Sequence, residues 1–323
     1  MDVRILIEEE LRRAVGVDHA ALDAVENAFS CLQEGRVSMP PIMHISAPEH
    51  HGDIDVKSAY VRGLPYIAIK IASGFYDNPQ KGLPAGSAMM VVLSAETGFC
   101  EAVLLDNGYL TDLRTGLAGA VAARYLAPSA VETVGVMGTG VQARYQVECL
   151  ALVREFSKVV VWGRAADKAQ ACARDLSVRL DVEARVAASP ADLVADCQVV
   201  ITATASQLPL LASDVLHAGL HITAVGADFP GKQELDPGIL QGADLLVCDS
   251  LSQCRVNGEI QHLVKDGELP GGLAIIELGA LTTGAATGRT SDAQITVCDL
   301  TGTGVQDTAI ANLALAATAE SAR

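Results

Sequence analysis

Three polar side chains stand where the surrounding sequence is apolar, and each could act on a small substrate. Lys70 ends an apolar run, Arg114 lies in an alanine-rich segment, and Asp228 follows another apolar run. A buried lysine is costly unless paired, a guanidinium can clamp a carboxylate, and a carboxylate at a strand end can act as a general acid or base. A surface lysine, an ion pair to Asp112 or another acid, and an Asx turn are the ordinary alternatives.

A glycine turn between an apolar run and a helix-compatible segment predicts a dinucleotide site. The run 132–137 enters the turn, and 141–155 leaves it. Gly138 permits the tight turn, Gly140 lets backbone approach a pyrophosphate, and Ala143 keeps helix and strand close. The predicted cofactor-binding residues of this turn are Gly138, Thr139, Gly140, Val141, Gln142 and Ala143.

The pentapeptide Gly-Thr-Gly-Val-Gln recurs at 302–306, which tests how specific this motif is. Asp307 follows the second copy where Ala143 follows the first, and a carboxylate there would repel a phosphate. Further strand and helix alternation also follows only the first copy. We therefore assign the dinucleotide to the first copy, and expect the second to be a structural turn or a pocket wall.

The end of the second strand of the dinucleotide fold bears on the choice of cofactor. An acidic residue there would bind the ribose 2′-hydroxyl of NAD, but Gly163 stands at that place and Arg164 follows it. With Lys168 nearby, the sequence slightly favours NADP over NAD. Alternatively, Arg164 stacks on adenine or faces solvent, which leaves a site that tolerates both cofactors. Thr204, at the end of the run 198–203, is expected beside the nicotinamide.

Periodicity places these residues in two domains. Residues 1–127 predict helices at 5–15, 18–34 and 109–126 around a mainly antiparallel sheet, with strands at 55–61, 66–72, 87–94 and 100–105. Residues 128–305 alternate strands and helices. The fold class is therefore α/β: a Rossmann-type, doubly wound parallel sheet plus an α+β substrate-binding and dimerisation domain, on which the C-terminal helix 306–323 packs back.

Composition excludes several classes of function. The chain has 323 residues and a net charge of −16, which argues against nucleic acid and anionic membranes as partners. No apolar run approaches the ~18–20 residues of a transmembrane helix, and the N-terminus lacks the apolar core of a signal peptide. Eight scattered cysteines predict reduced thiols in a cytoplasmic protein. His44, His50 and His51 are expected in a loop or pocket, without a metal.

Taken together, these stretches resemble the ornithine cyclodeaminase/mu-crystallin family. The resemblance runs in family order over almost the whole chain. It rests on Lys70, Gly82-Leu-Pro84, Glu96-Thr-Gly98, Leu110-Thr-x-x-Arg114-Thr115, Gly138-Thr-Gly-Val-Gln-Ala143, Gly226-Ala-Asp228, Glu234-Leu-Asp236 and Thr301-Gly302. The segments 39–44 and 50–57 look most like the ectoine-utilisation branch, whereas 231–236 and 258–262 are also similar to imine-reducing members such as iminosuccinate reductase.

The resemblance implies a homodimeric, NAD(P)-dependent enzyme of amino-acid metabolism. Lys70 and Arg114 would hold the amino-acid carboxylate and polarise the reacting group, and Asp228 would handle the proton or the attacking water. The chain departs from the family at Met43-His44, where many members carry a carboxylate-binding arginine. Ornithine is therefore in doubt as the substrate. His44, Ser87 and Gly302 are further candidates for substrate contact.

Three functions are compatible with these residues. The first is an imine reductase or amino-acid dehydrogenase that transfers hydride between NAD(P) and the Cα of a small amino acid or its imine. The second is a cyclodeaminase, an ammonia-lyase that keeps its NAD bound and returns the hydride. The third is a non-catalytic, crystallin-like binding protein, against which the retained Lys70, Arg114 and Asp228 count. We favour the first, and the physiological substrate stays open.

Overall fold

The structure, a computed structural model, describes residues 3–320. Contacts divide the chain into two compact units, one of residues up to Arg114 together with those from Thr303 onward, and one of Thr115–Gly302. The boundary between Arg114 and Thr115 falls inside a long helix rather than in a linker. The domains 1–127 and 128–305, with the roles assigned to them, stay predictions.

The first unit is built on a seven-stranded sheet. Its strands are β1 (Arg4–Ile7), β2 (Val37–Ser38), β3 (Met43–Ala47), β4 (Gly52–Val61), β5 (Tyr66–Phe75), β6 (Gly86–Ser94) and β7 (Cys100–Leu105), and its helices are α1 (Glu8–Ala14), α2 (His19–Gln33), the start of α3 (Tyr109–Leu126) and the last helix of the chain, Gly304–Glu320. The sheet order is β1-β7-β6-β5-β4-β2, with β3 also paired to β4. Pairing is antiparallel except for β1 with β7.

The inner face of this sheet is buried under helices. Ala59, Ala68, Met90 and Leu104 are at most 1% exposed. The last helix packs on α2, β4 and β5. Its Asn312 accepts a hydrogen bond from the Tyr66 N–H at 3.2 Å and donates to the Tyr66 carbonyl at 3.0 Å. Because both bonds go to strand backbone, they fix the helix against β5.

The outer face of the same sheet is apolar but only partly covered within this unit. Cross-strand register puts its side chains in continuous rows, such as Ile5, Val103, Val91 and Ile69. Ile5 is 63% exposed. The further apolar members of this outer sheet face are Ile7, Met43, Ile45, Ile54, Val56, Ile67, Ile71, Met89, Leu93 and Leu105. A sheet face of this size normally packs against another surface.

The second unit is an eight-stranded parallel sheet with helices between its strands. It contains β8 (Thr133–Met137), α4 (Val141–Leu150), β9 (Lys158–Trp162), α5 (Ala166–Leu180), β10 (Glu183–Val186), α6 (Pro190–Val194), β11 (Val199–Thr202), β12 (Gln207–Leu211), β13 (His221–Ala224), β14 (Gln233–Leu235), α7 (Pro237–Gln241), β15 (Leu245–Cys248), α8 (Leu251–Asn257), β16 (Ile275–Glu277), α9 (Leu278–Thr282) and β17 (Thr296–Asp299). The order is β10-β9-β8-β11-β13-β17-β15-β16, with β12 and β14 in a separate pair. The first five of these strands, β10-β9-β8-β11-β13, follow the doubly wound Rossmann order, which reverses between β8 and β11. β17 then lies beside β13, with β15 and β16 outside it.

The structure confirms the predicted α/β class and corrects some of its elements. Residues 5–7 are a strand, β1, where a helix was expected at 5–15, because the apolar residues there pair with β7. The helix after the glycine turn ends at Leu150 rather than at 155. The last helix, α10 (Gly304–Glu320), begins inside the second pentapeptide. The short strands β12, β14 and β16 were not predicted, since three to five residues carry too little periodicity.

Two further features concern the cysteines and the helices. All eight cysteines are free thiols, and seven are buried. Within residues 3–320, every helix is too short or too polar to cross a membrane.

Candidate active site

The glycine turn follows β8 as the sequence predicts, and its geometry suits a pyrophosphate. Gly138 has a φ of +119°, and a Cβ there would lie 2.4 Å from the Ala203 carbonyl oxygen. Gly140 begins α4, and the space around its Cα is open. Ala143 is fully buried against the strand. The turn therefore leaves the first N–H groups of a ten-residue helix available to an anion.

The end of β9 carries no acidic side chain. Gly163 packs closely, since a Cβ there would lie 2.5 Å from the Thr139 side chain. Arg164 and Lys168 are exposed. Arg144, which the motif reasoning left out, donates to the Thr139 and Gly140 carbonyls at 2.8 and 3.1 Å, and its guanidinium also pairs with Asp175 at 2.6 Å. Arg144 thus holds the shape of the turn while its charge is met by Asp175.

A buried carboxylate ties two strand ends together at the carboxyl edge of the parallel sheet. Glu234 is fully buried and accepts hydrogen bonds from the N–H groups of Thr204 at 2.6 Å and Gly226 at 2.9 Å. A Cβ on Gly226 would lie 2.4 Å from this carboxylate. Burial raises the pKa of Glu234, although the N–H donors oppose that shift. Glu234 stands out in the sequence only as part of a family motif, and this role was not predicted.

Two more buried carboxyls continue the same arrangement. Glu259 accepts from the backbone N–H groups of Glu234 and Leu235 at 2.7 and 3.1 Å, and Asp299 accepts from the Ile260 N–H at 2.9 Å. Burial, followed by the nearby Asp299, raises the pKa of Glu259 to about 9, and burial raises that of Asp299 to about 7. Glu259 therefore holds the backbone of Glu234, and Asp299 holds the backbone next to Glu259.

Asp228 lies in the loop after β13, at the same carboxyl edge of the sheet. Its side chain is half exposed, and its Oδ1 lies 2.7 Å from Lys232 Nζ. Gly302 lies just beyond β17, and its N–H donates to Asp249 at 2.7 Å. Both residues belong to the second unit, together with the glycine turn, Gly163, Arg164 and Thr204.

The first unit contains a buried cluster of charges centred on Asp307. Lys70 Nζ lies 3.1 Å from its Oδ2, and Arg114 Nε donates to its Oδ1 at 2.8 Å. All three side chains are at most 4% exposed. Gln306 accepts a hydrogen bond from Arg114 Nη1 at 3.2 Å, and its own buried Nε2 donates to no group within residues 3–320. The cluster therefore keeps hydrogen-bond donors for a further acceptor.

The cluster bears on the interpretations of Arg114 and Asp307. Arg114 forms an ion pair, the ordinary alternative for it, with Asp307, and its role as a carboxylate clamp stays a prediction. Asp307 joins two cations, and its place after the repeated pentapeptide, where Ala143 follows the first copy, was its one sequence signal. Burial alone would raise the pKa of Asp307, but Arg114, Lys70 and Lys57 outweigh it and hold that pKa below its usual value.

Two weaker candidates also lie in this unit. His44 Nδ1 lies 2.8 Å from Asp55 Oδ1, directly across the β3–β4 ladder. Asp55 and Lys57 are two residues apart on one strand and share a face, so His44 is on the same sheet face as Lys70. Ser87 is exposed, and it pairs with Ser73 on the alternate set of positions. The roles of His44 and Ser87 in substrate contact stay predictions.

We expect Asp307→Asn to lower the free energy of unfolding by about 3–5 kcal/mol, because it leaves the buried Arg114 guanidinium, and Lys70 where that is protonated, without their carboxylate. The pKa of Asp307 is lowered, so this stability is present at neutral pH and is lost as the pH falls through that lowered value. Urea denaturation at pH 7.5 measures it. Asp175→Asn, which removes an exposed partner of Arg144, is the control and should change little. Equal effects of both substitutions would contradict this account of the cluster.

The chain is similar to several known proteins in sequence and in fold. Residues 2–321 match the sequence model of the ornithine cyclodeaminase/mu-crystallin family. The chain is 45% identical to an uncharacterised cyclodeaminase of Sinorhizobium fredii over 97% of this chain and 95% of that protein. It is similar to the structure of an archaeal alanine dehydrogenase dimer with bound NAD, with a TM-score of 0.91, 35% identity and coverage of 100% and 98%.

A second solved structure is equally similar in fold. It is the Δ1-pyrroline-2-carboxylate reductase of Thermococcus litoralis in complex with NADH and L-proline, with a TM-score of 0.94, 27% identity and coverage of 99% of this chain and 98% of that one.

Proposed function

The chain belongs to the ornithine cyclodeaminase/mu-crystallin family, and we propose that it is an NAD(P)-dependent oxidoreductase that interconverts a small amino acid and its imine by hydride transfer at Cα. The observation that carries this proposal is the buried cluster on Asp307. Its one carboxylate contacts both Lys70 and Arg114, and the cluster keeps donors for another anion. The carboxylate of an amino acid is an anion of the right kind for a buried guanidinium and ammonium.

The glycine turn fits the pyrophosphate of a dinucleotide. Gly138 tolerates no Cβ against the Ala203 carbonyl, and the open space at Gly140 leaves the start of α4 accessible. We assign Gly138–Ala143 to the pyrophosphate, Gly163 and Arg164 to the adenosine ribose, and Thr204 to the nicotinamide side. When bound, the nicotinamide accepts or returns the hydride of Cα.

The side chains of this protein supply binding and proton transfer. Arg114 and Lys70 hold the substrate carboxylate and polarise the reacting group. Asp228, with its accessible carboxylate at the carboxyl edge of the sheet, handles a proton or the attacking water. Support for assigning these roles comes from the burial of the first two residues and the exposure of the third.

A cyclodeaminase is the second candidate, and the 45% identity to a protein named as a cyclodeaminase favours it. Such an enzyme uses the same residues but returns the hydride after ring closure and ammonia loss. A non-catalytic binding protein is disfavoured, because a buried cation cluster is costly to keep without a role. The segments 39–44 and 50–57 support membership of the ectoine-utilisation branch. We also propose 2,4-diaminobutyrate as a substrate to test, because a lysine cyclodeaminase of similar structure recognises it.

A homodimer completes the proposal. The outer sheet face is apolar and partly exposed, and a second copy of this chain is the occupant we propose for it. The archaeal alanine dehydrogenase named above is a dimer, which supports this choice.

Turnover distinguishes the two enzymes. We expect reduced-nicotinamide absorbance to fall when the protein, NAD(P)H and ammonia meet pyruvate or oxaloacetate, or when Δ1-pyrroline-2-carboxylate is supplied. In that assay Arg114→Ala should lose on the order of 2–5 kcal/mol in kcat/KM with the cofactor affinity retained, because a bidentate carboxylate contact is gone. Ammonia release from ornithine, lysine or 2,4-diaminobutyrate without net absorbance change would instead establish a cyclodeaminase. Unchanged substrate constants in the Arg114 variant would remove Arg114 from substrate binding.

For the cofactor, we propose that NADPH is accepted at least as well as NADH. Gly163 offers no carboxylate to repel a 2′-phosphate, and the exposed Arg164 and Lys168 can attract one. Fluorescence titration of both reduced cofactors against the wild type and Arg164→Ala measures this, with the exposed Arg174→Ala on the same helix as Lys168 as control. Much tighter binding of NADH, or NADPH affinity that ignores Arg164→Ala, would refute it.

For the dimer, light scattering on a sizing column should give about twice the chain mass of 33.6 kDa. Ile69→Lys places a charge in the middle of the outer sheet face and should yield monomers, since a buried unpaired charge is costly. Val178→Lys is the matched control, because Val178 is 85% exposed on α5. A wild-type monomer, or an Ile69 variant that stays dimeric, would exclude this interface.

A further inference from the structure

Two buried lysines face each other across the first sheet. Register places Lys57 of β4 directly opposite Lys70 of β5. Lys57 is 7% exposed and Lys70 is 2% exposed. Like charges directly opposite in an antiparallel ladder are destabilising, and burial adds a desolvation cost to each.

Charged side chains from four neighbouring segments surround Lys70. Lys57 faces it from β4, Arg114 from α3, Asp307 from α10, and Asp106 from the turn before α3, whereas its partner in β6 is the neutral Met90. Asp307 is shared with Arg114 at 2.8 Å. The Asp106 carboxylate accepts the Leu110 N–H at 2.8 Å and caps α3.

Such surroundings disfavour the protonated form of Lys70. Burial, followed by Arg114, lowers the pKa of Lys70 to about 7, Asp307 opposes the shift, and Lys57 adds to it. A lysine beside a second cation in a desolvated site is a recognised way to obtain a neutral amine near neutral pH. Register places Lys57 directly opposite Lys70, so the Lys57 charge acts on the Lys70 amine.

We propose that Lys57 is a positioning residue that keeps Lys70 partly in its neutral form, and that the neutral Lys70 amine takes the proton from the substrate's ammonium group. This assignment rests on the proposed function for its substrate. The N–H bond of the ammonium breaks and its proton moves to Lys70 Nζ. The freed nitrogen lone pair then forms the C=N bond of the iminium as Cα gives up its hydride, for which a bound NAD(P) would supply the acceptor. Asp228 is left for the water that attacks that carbon.

NMR of the lysine Nζ groups in the free protein tests the first half without any substrate. The Lys70 signal, identified by its loss in Lys70→Met, should titrate near pH 7 in the wild type. Lys57→Met should raise that midpoint by about one pH unit, because a neighbouring like charge is gone. Lys57→Arg, which keeps the charge, is the control and should leave it in place. Lys57→Gln replaces Lys57→Met if the latter does not fold.

The pH profile of kcat/KM for amino-acid oxidation tests the second half, since it reports the free enzyme. The acid limb should move up with the NMR midpoint, so Lys57→Met loses about fivefold at pH 7 and little at pH 9.5. Asp228→Asn should not move that midpoint. An unshifted limb or midpoint in Lys57→Met, an equal loss at every pH, or a wild-type Lys70 still protonated at pH 9 would each overturn the proposal. Absence of wild-type turnover would instead count against the proposed function and leave the NMR result to stand by itself.

Discussion

The buried ion pairs of Asp307 are the interaction on which the proposed chemistry of this chain depends. Asp307 contacts Lys70 on β5 and Arg114 on α3 from the first turns of α10. Taking three charged groups out of water is justified only if each is held in place, and the carboxylate holds both cations. Because these elements are distant in sequence, the cluster also fixes the C-terminal helix to the sheet.

The second unit uses buried carboxyls to hold its loops in place. Parallel strands end at one edge, where backbone N–H groups lose their ladder partners and loops must still hold a defined shape. Glu234 binds the ends of β11 and β13, and Glu259 holds the backbone of Glu234 in turn. The loops that carry Thr204 and Asp228 are thereby positioned by a buried network rather than by their own sequence.

Long elements and local motifs could be predicted well from the sequence, whereas contacts between residues far apart in the chain could not. The run 134–143 encodes the strand, turn and helix within ten residues, and the register of α2 follows from its apolar spacing and the Asp18 cap. Residues 5–7 were misassigned because their strand forms only by pairing with β7, about one hundred residues away. The ion pairs of Asp307 and the position of Lys57 opposite Lys70 were not predicted for the same reason: a single charged residue shows no period, and its partners come from other elements. Lys70 and Arg114 were found because each interrupts an apolar pattern.

We propose that the cluster on Asp307 receives the carboxylate of the substrate. In a crystal structure of the protein with NAD and the amino acid that supports turnover, we expect carboxylate oxygens within about 3 Å of the Arg114 and Lys70 nitrogens, with the ion pairs to Asp307 retained. A substrate carboxylate bound to other residues, with Arg114 and Lys70 still engaged by Asp307 alone, would contradict it.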